Sequence, residues 1–391
     1  MTTEAEIANE SASEIAPTPI ARALAEDAPG MRLTEYCGVR TVSALADEAA
    51  EIAAALYGVA VHDLGWQRRV AVTGEDRMRW LNGMVTNHVA ALNAGEPESG
   101  AGNYNLVLNA QGRIQGDCRV WRTNHGTVHE PKSDGLELEI AAHQMAAMKT
   151  HLERFIIMDD VELTPIPGWT ALGVTGSKAT AVLEALGMQA IAAGAERVGR
   201  LRATGGQEIV VLARRDMGRQ AGHLALWCRE EDARTVWQAL VAAGATAIGA
   251  ETVERLRIVE GIPAFGVDFA SDTLPQEAGV AEALHFTKGC YLGQEIVERI
   301  HSRGQVHRHV RAMEIFPDGQ EPVVGLELTA ADGKPAGKLT SVAHVEMDGV
   351  TRWFALGVVR TEAETGMAEL KYAGGRAQVL TRVPTLTTTT N

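Results

Sequence analysis

The sequence predicts an α+β protein with two related α+β domains and a small C-terminal β-barrel. Strand-like and helix-like segments alternate through the first half, and a similar order follows the cluster Pro165-Ile166-Pro167-Gly168. Such a cluster is typical of a domain boundary. After His309 the sequence changes to β-like runs broken by Gly, Asp and Pro, as in a small barrel. The 391 residues suffice for two or three domains with their own cores.

The first domain is predicted to span residues 18–165. Residues 1–17 are rich in Ala, Glu and Ser, lack aromatic side chains and are expected to form a disordered tail. Apolar spacing then predicts, in order, a helix over 42–56, a strand over 69–74, a helix over 76–84, a hairpin of 103–108 and 114–121, a strand over 135–140, a helix over 143–154 and a strand over 155–163.

The second domain is predicted to span residues 166–305, and interleaving of the two domains is left open. Its predicted elements are a strand over 169–175, a helix over 178–186, strands over 208–212 and 223–228, and a helix over 231–243. The barrel is predicted to span 306–385, and residues 386–391 are expected to form a frayed tail. The order of elements in the two halves is similar, without an exact sequence repeat.

Composition argues against several classes of partner. The net charge of −14 opposes nonspecific binding to a phosphate backbone, so no direct nucleic-acid partner is expected. No apolar run is long enough to span a bilayer, and the N-terminus lacks the basic and apolar regions of a secretory signal. We therefore expect a cytoplasmic protein with no membrane partner. The densest basic cluster is either a solvated surface or a site for an anion such as a polyglutamate tail, and it comprises Arg299, Arg303, His307, Arg308, His309 and Arg311.

Four cysteines are far apart in the chain, namely Cys37, Cys118, Cys228 and Cys290. No CxxC spacing occurs, which excludes a conventional local zinc or iron–sulfur ligand set, and reduced thiols are expected. No metal site is predicted. His307 and His309 alternate along a strand-like run and could chelate, although histidines in such a run are more often exposed.

The segment KGCYLGQE at 288–295 is the most informative in the chain. Its glycines permit a tight turn, and the apolar residues that follow have helical spacing, so Gly293 is predicted to lie near a helix start. Cys290 would then lie beside unpaired amides, with Lys288 two residues away. Both favour the thiolate and make Cys290 and Lys288 candidates for an activated-thiol site. The alternative is a small buried cysteine in a tight turn. A nucleophile set of Cys290 with His285 and Asp268 is weaker, since His301 and His307 are equally eligible as the base.

KGCYLGQE resembles the signature of the YgfZ-type folate-binding proteins, relatives of the glycine-cleavage T-protein (aminomethyltransferase). Sequence near it is also similar to that family: LRI at 256–258, GIPAFGVDF at 261–269, LPQEAG at 274–279 and RGQVHR at 303–308. Further similar stretches include YCG at 36–38, LNGMVTN at 81–87 and FIIMDDVE at 155–162. The resemblance implies two related α+β domains and a barrel around a central opening that binds folate.

The resemblance also implies a function. The expected cofactor is tetrahydrofolate or a one-carbon derivative. The expected role is accessory, in the assembly or repair of iron–sulfur clusters, with client or assembly proteins as partners. Enzymes that thiolate tRNA would be among the clients, so any connection to tRNA would be indirect.

Folate-binding residues are implied on three segments. In aminomethyltransferases the hairpin that corresponds to 104–117 carries two adjacent acids facing folate, and here Gly116 precedes the single Asp117. Asp117 could instead be an exposed residue near a strand end. Arg257 matches the family's arginine and offers a planar fork for a carboxylate, although an ion pair with Glu254 or Glu260 is the structural alternative. The complete set of expected folate-binding residues is Asp117, Tyr104, Asn105, Arg257, Tyr291, Gln294 and Glu295.

A second departure from the transferases lies at residues 217–223. Transferases have a Thr-Gly-Glu-x-Gly run whose glutamate grips the pterin, whereas this chain reads MGRQAGH, with Arg219 or Gln220 at the glutamate's place. A true aminomethyltransferase is the rival interpretation, and Gly116, the lost glutamate and KGCYLGQE count against it. A folate-dependent demethylase fragment related to sarcosine dehydrogenases is a third, disfavoured because no GxGxxG opens a βαβ unit.

Overall fold

A computed structural model of the chain describes residues 15–93, 95–124, 134–215, 223–347, 349–364 and 369–383. The α-helices within these ranges are α1 (Pro19–Asp27), α2 (Glu48–Tyr57), α3 (Arg77–Met84), α4 (Ala142–Glu153), α5 (Ala179–Ala185), α6 (Ala233–Ala242), α7 (Ala250–Val259) and α8 (Gln294–Arg303). The strands before the barrel are β1 (Leu33–Tyr36), β2 (Val39–Val42), β3 (Ala60–Asp63), β4 (Gln67–Thr73), β5 (Ser99–Leu108), β6 (Ile114–Thr123), β7 (Gly135–Ala141), β8 (Glu162–Pro165), β9 (Trp169–Thr175), β10 (Ala195–Arg202), β11 (Glu208–Arg215), β12 (Leu224–Arg229) and β13 (Thr246–Ala247). The barrel strands are β14 (Arg308–Pro317), β15 (Glu327–Thr329), β16 (Pro335–Met347), β17 (Val350–Arg360), β18 (Glu369–Tyr372) and β19 (Gly375–Val379).

Both α+β halves share one sheet of eleven strands, in the order β13-β3-β9-β12-β11-β10-β5-β6-β7-β4-β8. The halves meet where β10 pairs antiparallel with β5. Strand β3 comes early in the chain but pairs with β9, deep in the second half. Helices α3 and α4 cover one part of the sheet, and α5 and α6 cover another. The two halves are therefore interleaved through the sheet.

Residue patterns explain the principal elements. Helix α1 begins at Pro19, and its N-cap Thr18 accepts a hydrogen bond from the Ala21 amide at 3.0 Å. Strand β6 alternates buried and half-buried residues from Ile114 to Cys118, as expected when only one face meets the core. Helix α6 buries Val236, Trp237 and Leu240 on one side. The face of β6 that points away from this core is the one available for a site.

The C-terminal strands close into a barrel in the order β14-β17-β16-β15-β18-β19. Closure removes free sheet edges, and ten buried side chains, including Met313 and Leu328, fill the barrel. The barrel packs on helices α2 and α7 through Val345 and Phe354. Helix α7 is thereby fixed between the barrel and the large sheet, which positions the side chains at its C-terminal end.

Three sequence predictions of local structure are corrected. No strand covers 155–161, because Asp160 forms hydrogen bonds with the segment at the start of α3. The Asp160 amide donates to Asp76 Oδ2, and the Glu75 amide donates to Asp160 Oδ2, both at 3.0 Å. Short aspartates compete in this way with strand ladders. The helix predicted over 42–56 begins only at Glu48, because Val39–Val42 pairs with β1. Of the predicted tail over residues 1–17, residues 1–14 lie outside the described residues, as do 386–391 and 217–222. Its last residues are ordered, because Pro17 forms a bridge with Arg40 and the Ala16 carbonyl accepts from the Arg40 amide at 3.2 Å.

Candidate functional site

A cavity of about 660 Å³ lies between the β1–β2 turn, strands β5 to β7, helix α7 and the loop that follows it. Its aromatic lining side chains are Tyr36, Trp66, Tyr104, Trp121 and Phe265, and its lining carboxylates are Glu35, Asp117, Glu139, Glu254 and Glu282. Pockets of this size and lining are typical of small-molecule and cofactor sites. The aromatic walls and many acceptor oxygens suit a planar ligand that carries N–H donors.

Asp117 faces this cavity from β6 and is held from both sides. The Tyr104 hydroxyl donates to Oδ2 at 2.7 Å, and Gln144 Nε2 donates to Oδ1 at 2.7 Å. Gln144 also accepts from the Asp117 amide at 3.0 Å. An ionised carboxylate offers about four acceptor positions, so one remains on each oxygen. Burial, followed by the Asp117 charge, raises the pKa of Tyr104 well above its ordinary value, which keeps the phenol protonated as a donor.

Gly116, the position for which the resemblance implies a second acid, faces the opposite side of β6. A Cβ atom at this position would lie 2.4 Å from Met148 Cε and 2.8 Å from Gln144 Oε1. A larger side chain would therefore displace both residues from helix α4. Since Gln144 orients Asp117, glycine at 116 preserves the hydrogen bonds that fix the remaining acid.

Arg257 lines the cavity from α7 but donates all of its hydrogen bonds to protein atoms. Its Nε donates to Glu254 Oε2 at 2.9 Å, and one terminal nitrogen donates to Asp268 Oδ2 at 2.6 Å and to the Ile262 carbonyl at 2.7 Å. The other donates to Glu254 Oε1 and to Ser341 Oγ. Burial opposes its charge, but Glu254 and Asp268 hold the pKa of Arg257 above its ordinary value. These five bonds use the five donors of a guanidinium. Arg257 thus forms the ion pair with Glu254 that was the alternative to its predicted ligand role.

The signature segment lies outside the set of residues that line this cavity. Lys288 is buried, and its ammonium donates to the carbonyls of Asn82 at 2.5 Å, Val85 at 2.5 Å and Asn87 at 2.8 Å. These carbonyls lie at and just beyond the C-terminus of α3, where a cation is favoured. Burial lowers the pKa of Lys288 to about 7. The ammonium of Lys288 thus donates its hydrogen bonds to three backbone carbonyl oxygens.

The remaining signature residues hold a turn before α8. Gly293 has φ 78°, and a Cβ there would lie 2.6 Å from the Asn109 carbonyl oxygen, so only glycine fits without strain. Gln294 Oε1 accepts from the Tyr291 amide at 3.2 Å, and Tyr291 is buried in a core cluster. Cys290 and Glu295 are exposed. The predicted helix start at Gly293 is confirmed, since α8 begins at Gln294.

The structure brings Tyr104, Asp117 and Arg257 together at the cavity and places the other predicted folate residues elsewhere. Asn105 is buried, where its Oδ1 accepts from the Asn87 amide at 2.9 Å. Tyr291, Gln294 and Glu295 belong to the signature turn. The sequence analysis did not predict that Glu254 itself lines the cavity. The available signal was its place three residues before Arg257, which puts both side chains on the same face of a helix.

Other candidate groups have contacts of their own. Asp268 binds Arg257 and also accepts from the Ser341 hydroxyl at 2.7 Å. The ring of His285 lies 5.1 Å from that of His88, and His301 stacks on Phe286 at 3.8 Å. In the basic cluster, Arg308 pairs with Glu277 and Asp272, and Arg311 pairs with Glu364. These contacts direct Asp268 towards Arg257, and they use two of the cluster's arginines in ion pairs.

Comparison with known proteins places this geometry in a family. Residues 22–288 match the family model described as the GCVT N-terminal domain. The chain belongs to this family. It is 27% identical over 282 residues to an aminomethyltransferase of Rubrobacter xylanophilus, covering 70% of each protein. It is 23% identical over 269 residues to a mitochondrial iron–sulfur cluster assembly factor IBA57 homolog of Neurospora crassa, covering 66% of this chain and 54% of that protein.

A solved structure confirms the predicted fold. The glycine cleavage system aminomethyltransferase T of Bartonella henselae matches with a TM-score of 0.77 at 17% identity, over 94% of this chain and 97% of that one. The likeness covers the mixed sheet and the closed barrel. At this identity it supports the fold class alone. No helix in the described ranges is both long and apolar enough to cross a membrane.

Proposed function

We propose that this GCVT-family protein is of the YgfZ type, binds tetrahydrofolate or a one-carbon derivative in its central cavity, and acts as an accessory in iron–sulfur cluster assembly or repair. The observation that carries the folate part is Asp117, fixed by Tyr104 and Gln144 with one acceptor position left on each oxygen. Clients among tRNA-thiolating enzymes would connect the protein to tRNA only indirectly.

The cavity suits a reduced folate. The pyrimidine ring of a reduced pterin is planar and carries adjacent N–H donors, which aromatic walls and a fixed carboxylate can bind together. The volume of about 660 Å³ falls within the usual range for cofactor pockets. Tetrahydrofolate supplies one-carbon carrier chemistry when bound. In that state Asp117 would hold the pterin side, and Tyr104 would keep the carboxylate oriented.

The iron–sulfur part rests on two observations. IBA57 homologs, which are named as iron–sulfur cluster assembly factors, are among the relatives from both Neurospora crassa and Aspergillus oryzae. Within KGCYLGQE, Lys288 and Tyr291 are buried, whereas Cys290 is exposed. The segment therefore presents one thiol on a braced turn, where a protein partner can reach it.

Aminomethyltransferase activity is the second candidate, because aminomethyltransferases are among the relatives and Asp117 faces the cavity. Gly116 counts against it, since the place of the other acid is closed by Met148 and Gln144. An assay with the aminomethyl-lipoyl carrier and tetrahydrofolate distinguishes the two functions. We expect little or no turnover, and robust turnover would favour the transferase.

Calorimetric titration tests the folate part. The parent protein should bind tetrahydrofolate or its formyl or methylene form, and Asp117→Asn should weaken binding by about 10-fold or more, because a charge-assisted hydrogen bond is lost. Glu251→Gln is the matched control, since Glu251 lies outside the cavity and pairs with Arg32.

For the iron–sulfur part, Cys290→Ser should fold normally but fail to support an iron–sulfur-dependent client in a deletion strain. Full complementation by that variant would contradict a functional thiol.

A further inference from the structure

Glu254 occupies an unusual place on the cavity wall. Its side chain is 33% exposed and lines the cavity, while the neighbouring Arg257 side chain is only 6% exposed. The guanidinium binds both carboxylate oxygens, and the Tyr36 hydroxyl donates to Oε2 at 3.0 Å. Three of about four acceptor positions are used in this way, which leaves one on Oε1. The carboxylate is therefore held in a single orientation with an acceptor to spare.

Arg257 is poorly placed to bind a ligand itself. All five of its donors have acceptors, and Asp268 and Ser341 hold the side of the guanidinium that faces the barrel. Asp268 is buried and also accepts from the Ala264 amide at 2.9 Å and from Thr340. A ligand carboxylate could reach Arg257 only by displacing one of these partners and leaving it buried without a donor, which is costly.

Glu254 and Asp117 act on the same part of the cavity. Both lie close enough to Cys37, another lining residue, for their charges to add to the effect of burial, which raises the pKa of Cys37 to about 12. Tyr36 and Tyr104 provide aromatic surface next to the two acids, and each donates its hydroxyl to one of them. Two oriented carboxylates thus line the same cavity, each beside the tyrosine that donates to it.

We propose that Glu254 is a specificity-determining acceptor for the ligand's N–H groups and that Arg257 acts through it as a positioning residue. The inference rests on the proposed folate function and deepens it. In this proposal a planar heterocycle with N–H donors binds to Asp117 and to Glu254, which both line the cavity. An anionic group would be repelled by both acids, so we expect the glutamate tail of a folate to point away from them.

Calorimetry with tetrahydrofolate tests this arrangement. Glu254→Gln should weaken binding by about 10- to 100-fold, because the amide can turn a donor towards the ligand's donor and carries no charge. Arg257→Lys should weaken binding comparably, since it keeps the charge but loses the fork. The double variant should be no weaker than the weaker single variant, as expected when one residue acts through the other. Glu251→Gln on the same helix is the matched control.

A second ligand separates the two roles that Arg257 could have. Tetrahydropteroate lacks the glutamate tail, and we expect it to lose as much affinity in both variants as tetrahydrofolate does. If Arg257→Lys weakened only tetrahydrofolate, or Glu254→Gln tightened binding, Arg257 would be a direct carboxylate ligand and the proposal would be overturned. Glu254→Asp keeps the charge but withdraws the carboxylate oxygens by one methylene, so it should give an intermediate loss of affinity. This variant tests the role of Glu254 even if Arg257→Lys does not fold.

The outcomes also separate this inference from the proposed function. Binding by the parent protein with an unchanged Kd in Glu254→Gln would overturn the role of Glu254 and leave folate binding standing. No binding of any folate by the parent protein would overturn both. Thermal unfolding of each variant, measured without ligand, shows whether a lost affinity reflects a lost fold.

Discussion

The cavity wall and the signature turn each contain a buried cation, and the two cations have different surroundings. Arg257 meets two carboxylates, from Glu254 and Asp268. Lys288 meets neutral carbonyl oxygens at the end of α3. Carboxylates compensate the loss of hydration of a buried charge far better than carbonyls do. The pKa of Arg257 is accordingly raised, whereas burial lowers the pKa of Lys288 to about 7.

The difference indicates how each region is built. At the cavity, a permanent charge fixes another charged group, Glu254, which faces the ligand space. At the turn, an ammonium fixes backbone, because it joins the signature to the C-terminus of α3 and leaves the neighbouring Cys290 exposed. In the proposed function, the first arrangement serves recognition of a small polar molecule, and the second serves presentation of a thiol to a large partner.

The strongest test of this comparison is removal of the cavity cation. Arg257→Ala leaves the buried Asp268 carboxylate without its ion pair, so the free energy of unfolding should fall by about 3–5 kcal/mol. Urea unfolding monitored by fluorescence measures the change. Arg79→Ala provides the contrast: the Arg79 side chain is 70% exposed in its own ion pairs, so its removal should change the free energy of unfolding very little. A loss as small for Arg257 as for Arg79 would contradict the cavity account.

The two regions also contain one accessible thiol and one protected thiol. Cys290 is exposed, whereas burial and then the Glu254 charge raise the pKa of Cys37 to about 12. Near pH 7.5 this shift lowers the thiolate fraction more than its greater nucleophilicity compensates, by a net factor of about 100 relative to an ordinary cysteine. Timed iodoacetamide labelling with mass spectrometry should therefore modify Cys290 well before Cys37, because the Cys290 thiol is exposed and the raised pKa of Cys37 slows its reaction. Labelling of both at similar rates would contradict the prediction.

The turn itself is tested by removing its cation. Lys288→Met should lower the free energy of unfolding by about 2–3 kcal/mol, because carbonyls at the end of α3 lose their donor. Hydrogen exchange should quicken at amides near Met84 and Leu292, while amides in the barrel stay protected. Lys288→Arg should restore part of the loss. If hydrogen exchange quickened equally at all amides, Lys288 would stabilise the whole fold and not specifically the contact between the signature turn and α3.

Much of the fold followed from the sequence because its signals were local. The hairpin of β5 and β6 was predicted within a few residues, and the glycine before α8 was predicted to start a helix. The pairing of β3 with β9 was beyond reach, because Ala60–Asp63 meets residues more than a hundred positions away. The strand predicted over 155–163 was wrong for a related reason: the Asp160 amide donates a hydrogen bond to the Asp76 carboxylate, which is distant in sequence.

The candidate site was predictable in kind more than in detail. The hairpin pattern predicted Asp117, and the structure places it on the cavity wall with Tyr104. The pattern around Arg257 offered both a ligand fork and an ion pair, and spacing alone could not decide between them. The decision depends on Asp268 and Ser341, which approach from a loop and from the barrel. Long-range contacts of this kind leave no periodic signal in the sequence.

The smallest expected effect concerns pH, and its sign differs between the two regions. Lys288 has a pKa of about 7 in the folded state and the ordinary lysine value of about 10.4 in the unfolded chain. Between these two pH values the folded state binds fewer protons at Lys288 than the unfolded chain does. This group therefore makes the free energy of unfolding rise with pH across that window. Cys37 has the opposite effect. Its folded pKa of about 12 exceeds the unfolded value of about 8.5, so it makes stability fall as pH rises above about 8.5.

Urea unfolding at pH 7, 8.5 and 10 separates these contributions. Between pH 7 and 8.5, Lys288→Met should remove a rise of about 1–2 kcal/mol, while Cys37→Ala should follow the parent protein. Between pH 8.5 and 10, Cys37→Ala should lose about 1 kcal/mol less than the parent protein, a value reduced from the full linkage because the thiol is partly exposed. A Cys37→Ala curve parallel to that of the parent protein up to pH 10 would show that the pKa of Cys37 is not raised in the folded state, and it would contradict the burial of this thiol beside the acids of the cavity.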